Sequence, residues 1–235
     1  AIKNPEVKMT FSRAGKEMEV KLHTVTFAQV KNWLYNEWED TNRALVDRLG
    51  DGQIAYSHMR DMGGEELNEF LKDMHTRTLG KKAIILDLRY NNGGNVHNEV
   101  LEFLSQKAHY NWSYRDFPSN SHPNVTPGDI PIIALVNERS LSDAEVTSNG
   151  IQTLGLATIV GTETYRWIIF TSGTTLLDGS YLRLPAWGCY SLDGKDLEST
   201  GVKPDIYVKN TFDDRVNGRD PQLERAIEEA LKRIK

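Results

Sequence analysis

Residues Ala83-Ile84-Ile85-Leu86-Asp87-Leu88-Arg89-Tyr90-Asn91-Asn92-Gly93-Gly94 decide the fold. The run from Ala83 to Leu88 is almost unbroken in its apolar character, where a strand with one wet face would alternate. It therefore predicts a strand covered on both faces. Asn91 to Gly94 end it with residues that favour turns, and helical spacing follows over 96–104. The same grammar returns downstream. Ile130-Pro131-Ile132-Ile133-Ala134-Leu135-Val136 reads as a strand, Asn137-Glu138-Arg139-Ser140-Leu141 as a polar turn, 142–154 as a helix and 156–160 as a third short strand. Strand, turn, helix and strand in succession predict an α/β fold with a largely parallel sheet and crossover helices.

On the N-terminal side, residues 6–22 alternate around Arg13-Ala14-Gly15-Lys16 and predict two strands and a turn. Phe27, Val30, Leu34, Trp38, Leu45, Val46 and Leu49 recur at helical spacing before Gly50, which predicts an amphipathic helix. A short strand over 53–58 and a helix over 65–79 come next. On the C-terminal side, residues 181–184 and 206–208 read as strands. The last helix is capped by Asp220, with Pro221 in its first turn and Leu223, Ile227, Leu231 and Ile234 on one face. Residues 105–129, rich in Asn, Ser, Pro and aromatics, are too long for an ordinary connection. A substrate loop at the pocket rim and a disordered stretch are both open readings there.

Composition narrows the class. At 235 residues, 39% hydrophobic and 26% charged, the chain has the make-up of a soluble globular protein of one or two domains. It holds no apolar run of membrane-span length and no basic-then-apolar leader. With a net charge of −5 and scattered Lys and Arg, it lacks the basic stripe that nucleic acid requires. Cys189 is the only cysteine, so an intrachain disulfide and a thiolate metal site are both excluded. Its apolar neighbours favour a buried, inert thiol over a reactive one.

Three places could carry chemistry. Ser142 follows a buried strand at the start of a helix, where a serine is most often an N-cap. A nucleophile wants the same place, beside unpaired amides and the positive end of the helix dipole. Gly93-Gly94 could simply close a turn, or could present amides to a substrate carbonyl. A serine hydroxyl needs a base. Among the histidines, His23, His75, His97, His109 and His122 fall on predicted surface segments, whereas His58 leaves a strand end beside Ser57.

These residues resemble the paired signature of the tail-specific proteases: 87–94, then Val136-Asn137-Glu138-Arg139-Ser140-Leu141-Ser142-Asp143-Ala144-Glu145. Residues 155–161, Asp178-Gly179-Ser180, Leu182-Arg183-Leu184-Pro185 and Gly201-Val202-Lys203-Pro204-Asp205-Ile206 continue it in order. The resemblance covers nearly all of the chain from Gln53. One branch of that family uses a Ser/Lys dyad, but residues 162–168 contain no lysine. The tricorn branch pairs Ser and His at a strand end, follows the nucleophile with Asp, and places a Glu before the Gly-Val-x-Pro-Asp motif. Ser57-His58, Ser142-Asp143 and Glu198 fit those places.

The resemblance implies a crotonase-like α/β sandwich with a preceding small helical subdomain. Its pieces would be residues 1–25 as the edge or remnant of a PDZ-like domain, 26–80 as the helical subdomain carrying Ser57 and His58, and 81–235 as the catalytic domain. It implies a serine peptidase with Ser142 as nucleophile, His58 as base, and Ser57 and Glu198 behind the imidazole. The amides of Gly93 and Asp143 would form the oxyanion hole, with Gly94 as a substitute donor. The substrate would be a peptide or unfolded polypeptide, cleaved in endopeptidase or carboxypeptidase mode, with no metal or cofactor. A homo-oligomer is expected, in the cytoplasm or, after removal of a signal, in the periplasm or medium. The rival is a lipid- or retinoid-binding module of the same fold, which would have no need of a hydroxyl, an imidazole and a carboxylate at those positions.

Overall fold

The computed structural model describes residues 6–234. The chain divides into two compact units, residues 1–42 and 43–235. In the first, β1 (Glu6–Arg13) and β2 (Lys16–His23) form an antiparallel hairpin. Ala14 and Gly15 close it with φ of 51° and 76°, the left-handed pair that a two-residue turn demands. The helix α1 (Phe27–Leu49) starts in this unit and ends in the second. Its predicted apolar stripe is uneven: Val46 is buried, whereas Phe27, Leu34 and Leu49 are exposed.

The second unit continues with β3 (Ile54–His58), α2 (Gly64–Arg77), β4 (Ala83–Asp87) and α3 (His97–Leu104). Next come a small hairpin of β5 (Tyr110–Trp112) and β6 (Asn120–His122), a 3-10 turn at Pro127–Asp129, β7 (Ile132–Val136), α4 (Asp143–Leu154) and β8 (Thr158–Gly161). A hairpin of β9 (Phe170–Thr175) and β10 (Tyr181–Trp187) precedes α5 (Leu197–Thr200), β11 (Ile206–Tyr207), α6 (Phe212–Val216) and α7 (Pro221–Arg233).

Five strands make the central sheet in the order β11-β8-β7-β4-β3, all parallel. β3, β4 and β7 are buried at every position, which explains why their sequences are apolar runs. One face carries Ala55, Leu86, Ala134 and Val136 against Phe70 and Met74 of α2, Val100 and Phe103 of α3, and Ala144 and Ile151 of α4. The other carries Ile54, Ile85, Leu135 and Val160 against Val46 of α1 and Leu223, Ala226 and Ile227 of α7. Each fully buried side chain of this kind contributes about 1.5–3 kcal/mol.

β3 falls within the segment expected to form a helical subdomain, 26–80. β3 pairs with β4 along its whole length, from Ile54 beside Ala83 to His58 beside Asp87. A run as apolar as Ile54-Ala55-Tyr56 is buried by joining the sheet as an edge strand. Residues 105–129 carry the β5–β6 pair and the 3-10 turn. Among the described residues, no helix is long and apolar enough to cross a membrane.

Candidate active site

A parallel sheet collects its loops at the carboxyl ends of its strands, and there the chain brings its unusual residues together. The loops after β3, β4 and β7 are stitched to one another. The Asn91 side-chain amide donates to the Met59 carbonyl at 2.8 Å, Met62 N–H to the Gly93 carbonyl at 2.9 Å, and Leu141 N–H to the Asn91 carbonyl at 2.9 Å. The Ser140 hydroxyl donates to the Leu88 carbonyl at 2.8 Å.

Ser142 sits at the junction of β7 and α4 with φ 51° and ψ −114°. A serine with positive φ is uncommon, and such conformations persist only where the surroundings hold them. Here the holder is Glu145, one turn into α4 and fully buried. Its carboxylate accepts from Ser142 N–H at 3.0 Å, Trp167 N–H at 2.8 Å, Arg166 N–H at 2.8 Å and the Thr164 hydroxyl at 2.6 Å. It ties the turn before α4 to the segment after β8. Ser142 and Glu145 form a capping box at this helix start, yet the Ser142 hydroxyl makes no side-chain cap hydrogen bond. The N-cap position is thus filled without a cap bond that would tie this hydroxyl down.

Gly93 lies directly against this serine: a Cβ built on it would stand 2.7 Å from Ser142 Cβ and 3.2 Å from Asp143 N. Its own φ is 78°. The neighbouring Gly94 is pressed on Met62, whose carbonyl oxygen would be 2.1 Å from an added Cβ. Both glycines are thus demanded by close approach. Of the candidate oxyanion donors, Asp143 N–H and Gly94 N–H have no partner among the described residues, while Gly93 N–H donates to Asn91 Oδ1 at 2.8 Å.

A cavity of about 590 Å³ opens here, lined by Gly93, Gly94, Ser142, Trp167, Arg183 and Glu198 among others. Ser142, the glycine turn and Glu198 therefore share one space. None of the lining residues comes from 105–129, so the expected pocket rim is supplied instead by the segment after β8 and by the β9–β10 hairpin.

His58 ends β3, buried, and its Nδ1 stands 2.8 Å from the Asp87 carbonyl. A carbonyl can only accept, so Nδ1 carries a proton; in the neutral form of the ring the lone pair would then lie on Nε2. The Ser57 hydroxyl donates to Asp73 of α2 at 3.2 Å, and Asp73 also accepts from Arg77 Nε at 2.5 Å. The Glu198 carboxylate makes no hydrogen bond or ion pair among the described residues. The structure thus gathers Ser142, Gly93, Asp143 and Glu198, and fixes His58 and Ser57 at the neighbouring strand end.

Beneath the loops lies a buried network that sequence reasoning missed. Asp87 accepts from the Tyr56 hydroxyl at 2.9 Å and from Arg89 Nη2 at 2.7 Å, and Arg89 reaches on to Asp220, the cap of α7, at 2.8 Å. Burial alone would push the Asp87 carboxyl up, but the Arg89 charge and hydrogen bonds hold it below its ordinary value. Asp143 goes the other way: burial raises its carboxyl, against an opposing pull from His97. His97, which sequence position assigned to the surface, donates from Nδ1 to Asp143 at 2.5 Å. One sequence signal was available for Glu145, the S-x-x-E spacing from Ser142 that marks a capping box.

Cys189 is half-buried, and burial together with Asp196 pushes its thiol up, away from the reactive thiolate. Among the described residues no cluster of His, Cys, Asp and Glu could hold a metal ion.

Residues 52–208 match the model of peptidase family S41. The chain belongs to that family. It is 31% identical over 204 residues to the tricorn protease of Thermoplasma acidophilum, covering 86% of this chain and 19% of that protein. It is 30% identical over 231 residues to tricorn protease homolog 1 of Streptomyces coelicolor, covering 96% of this chain and 21% of that protein. The crystal structure of the tricorn protease superposes with a TM-score of 0.83 at 27% identity, over 97% of this chain and 22% of the other. The S41 chain thus spans about a fifth of the length of these relatives.

Proposed function

We propose that this S41 chain is the catalytic region of a serine peptidase, with Ser142 as nucleophile and His58 as its general base. The observation that carries the reading is Ser142 itself. It is strained and held by Glu145, its hydroxyl makes no side-chain cap hydrogen bond, it lines the cavity, and it is followed by an amide with no partner among the described residues. A serine placed for capping would use its hydroxyl; a serine placed for attack keeps it available.

In this reading the Ser142 oxygen attacks the scissile carbonyl and the His58 Nε2 lone pair accepts the proton, then returns it to the leaving amine. The Nδ1 bond to the Asp87 carbonyl keeps the ring in the tautomer that this step needs. Asp143 N–H and an amide of the Gly93-Gly94 turn receive the oxyanion, with the positive end of α4 behind them. Gly93 N–H would exchange Asn91 Oδ1 for the substrate oxygen, whereas Gly94 N–H has nothing to exchange. Ser57 and Glu198 complete the set, Ser57 preceding the histidine on β3 and Glu198 as the cavity's carboxylate. Asp73 now stands as the group that orients Ser57. The substrate class is a peptide or unfolded polypeptide, which a cavity of this size with Trp167 in its wall accommodates as an extended segment.

The test is hydrolysis of a fluorogenic peptide library by wild type, Ser142→Ala and His58→Ala. Each substitution should lower kcat by roughly 1,000-fold or more. Wild-type turnover in Ser142→Ala would remove the assignment. A pure binding module, the rival reading, would show no turnover in any of the three.

A further inference from the structure

The proposed oxyanion site has two walls from different strands. One is the Gly93-Gly94 turn after β4, and the other is the Ser142-Asp143 turn after β7. They approach closely: a Cβ added to Gly93 would stand 2.7 Å from Ser142 Cβ. Two links bracket this contact in sequence. Before it, Leu141 N–H donates to the Asn91 carbonyl at 2.9 Å. After it, Asp143 accepts twice from His97, the first residue of α3: from the backbone N–H at 3.1 Å and from ring Nδ1 at 2.5 Å. The Asp143 side chain is 2% exposed and that of His97 is 24% exposed.

We propose that His97 is a positioning residue of the oxyanion site, which through Asp143 locks the start of α4, and with it the Asp143 amide, against the glycine turn. This rests on the peptidase reading above. The Asp143 amide and carboxylate belong to one residue, so whatever fixes the carboxylate fixes the direction of the N–H. Burial makes the Asp143 charge costly, and the His97 ring supplies a hydrogen bond to it. A carboxylate left without that partner would also oppose the negative charge that develops on the substrate oxygen beside it.

The plain alternative is that Asp143 merely caps α3. That role uses the His97 backbone N–H, which any substitution of His97 retains, so the ring bond can be removed alone. His97→Ala deletes it, His97→Phe deletes it while keeping ring volume should alanine fail to fold, and His97→Asn restores an N–H donor near the Nδ1 position. Each is assayed for kcat, KM, melting temperature and inhibition by a peptide boronic acid, a probe whose tetrahedral adduct occupies the oxyanion site.

For Ala and Phe, kcat should fall about 10- to 100-fold with KM within about twofold, boronate affinity should fall in step with kcat, and Asn should recover most of both. Unchanged kcat, or a kcat loss without loss of boronate affinity, overturns the proposal, as does failure of Asn to rescue. Fluorophosphonate labelling of the wild type separates the two levels. A labelled wild type with fully active variants refutes only the role of His97, whereas an unlabelled wild type removes the peptidase reading and this inference with it.

Discussion

Gly93→Ala is the sharpest mechanical probe of the site. The new Cβ would stand 2.7 Å from Ser142 Cβ and 3.0 Å from the Leu141 carbonyl oxygen. Non-bonded carbons rest at about 3.5–4.0 Å, so one wall must retreat by roughly 1 Å. The left-handed φ of 78° adds about 1–2 kcal/mol for a residue with a Cβ. Displacing a nucleophile by about 1 Å costs on the order of 100-fold in rate. The variant should therefore lose about 2–4 kcal/mol of stability in total and at least about 100-fold in kcat.

Gly155→Ala supplies the control. Gly155 ends α4 with φ 64°, but nothing lies within 4 Å of its added Cβ. It should lose about 1 kcal/mol and leave kcat unchanged. Thermal unfolding and peptide turnover on both variants decide the matter. Gly93→Ala with kcat within threefold of wild type, or Gly155→Ala impaired to the same degree, would refute the claim that the contact between the two turns sets the geometry of the site.

Glu198→Gln should lower kcat by about 10-fold or more at saturating substrate if the cavity carboxylate supports the imidazolium that forms, and Asp73→Asn should do the same if the support runs through Ser57. Whichever mutant shows no effect identifies a carboxylate without a catalytic part. Asp87→Asn should destabilise the fold at pH 7 by about 2–3 kcal/mol, because it removes one of the two carboxylates that pair with the buried Arg89 and leaves Asp220 as the other. Arg89 holds the Asp87 carboxyl below its ordinary value, so the wild-type contribution is complete above about pH 4 and is lost as pH falls through the depressed value. The gap between wild type and Asp87→Asn, measured by denaturant titration, should therefore narrow in acid. A gap that stays constant from pH 7 to about pH 3 would show that the pair does not work through charge.

Much of this was legible before any coordinates, and the physical reason is local. Strands buried on both faces must be apolar throughout, so β3, β4 and β7 announce themselves, and the turns between them carry Gly and Ser at the carboxyl edge where a parallel sheet puts its site. What stayed hidden depends on distance in sequence. Arg89 reads as a surface residue until Asp87 and Asp220, the latter 131 positions away, are seen around it. His97 looks solvated because its partner Asp143 is 46 positions on. Asp73 resembles any helical carboxylate, since its bond to Ser57 arises only when α2 folds onto the face of β3. The place of β3 in the sheet was missed for a related reason: a single strand among helices carries no sign of which strand it will pair with. Periodicity also gave α1 its extent but not its cover, as the exposed Phe27 and Leu34 show.

The most direct test of the central claim is intact-mass and peptide-level mass spectrometry of the wild-type chain after treatment with a fluorophosphonate, a reagent that reacts with activated serines. The account predicts one adduct, located on Ser142, abolished by Ser142→Ala and slowed at least about 100-fold by His58→Ala. An adduct on another serine, or none under conditions that label a known serine peptidase, would contradict it.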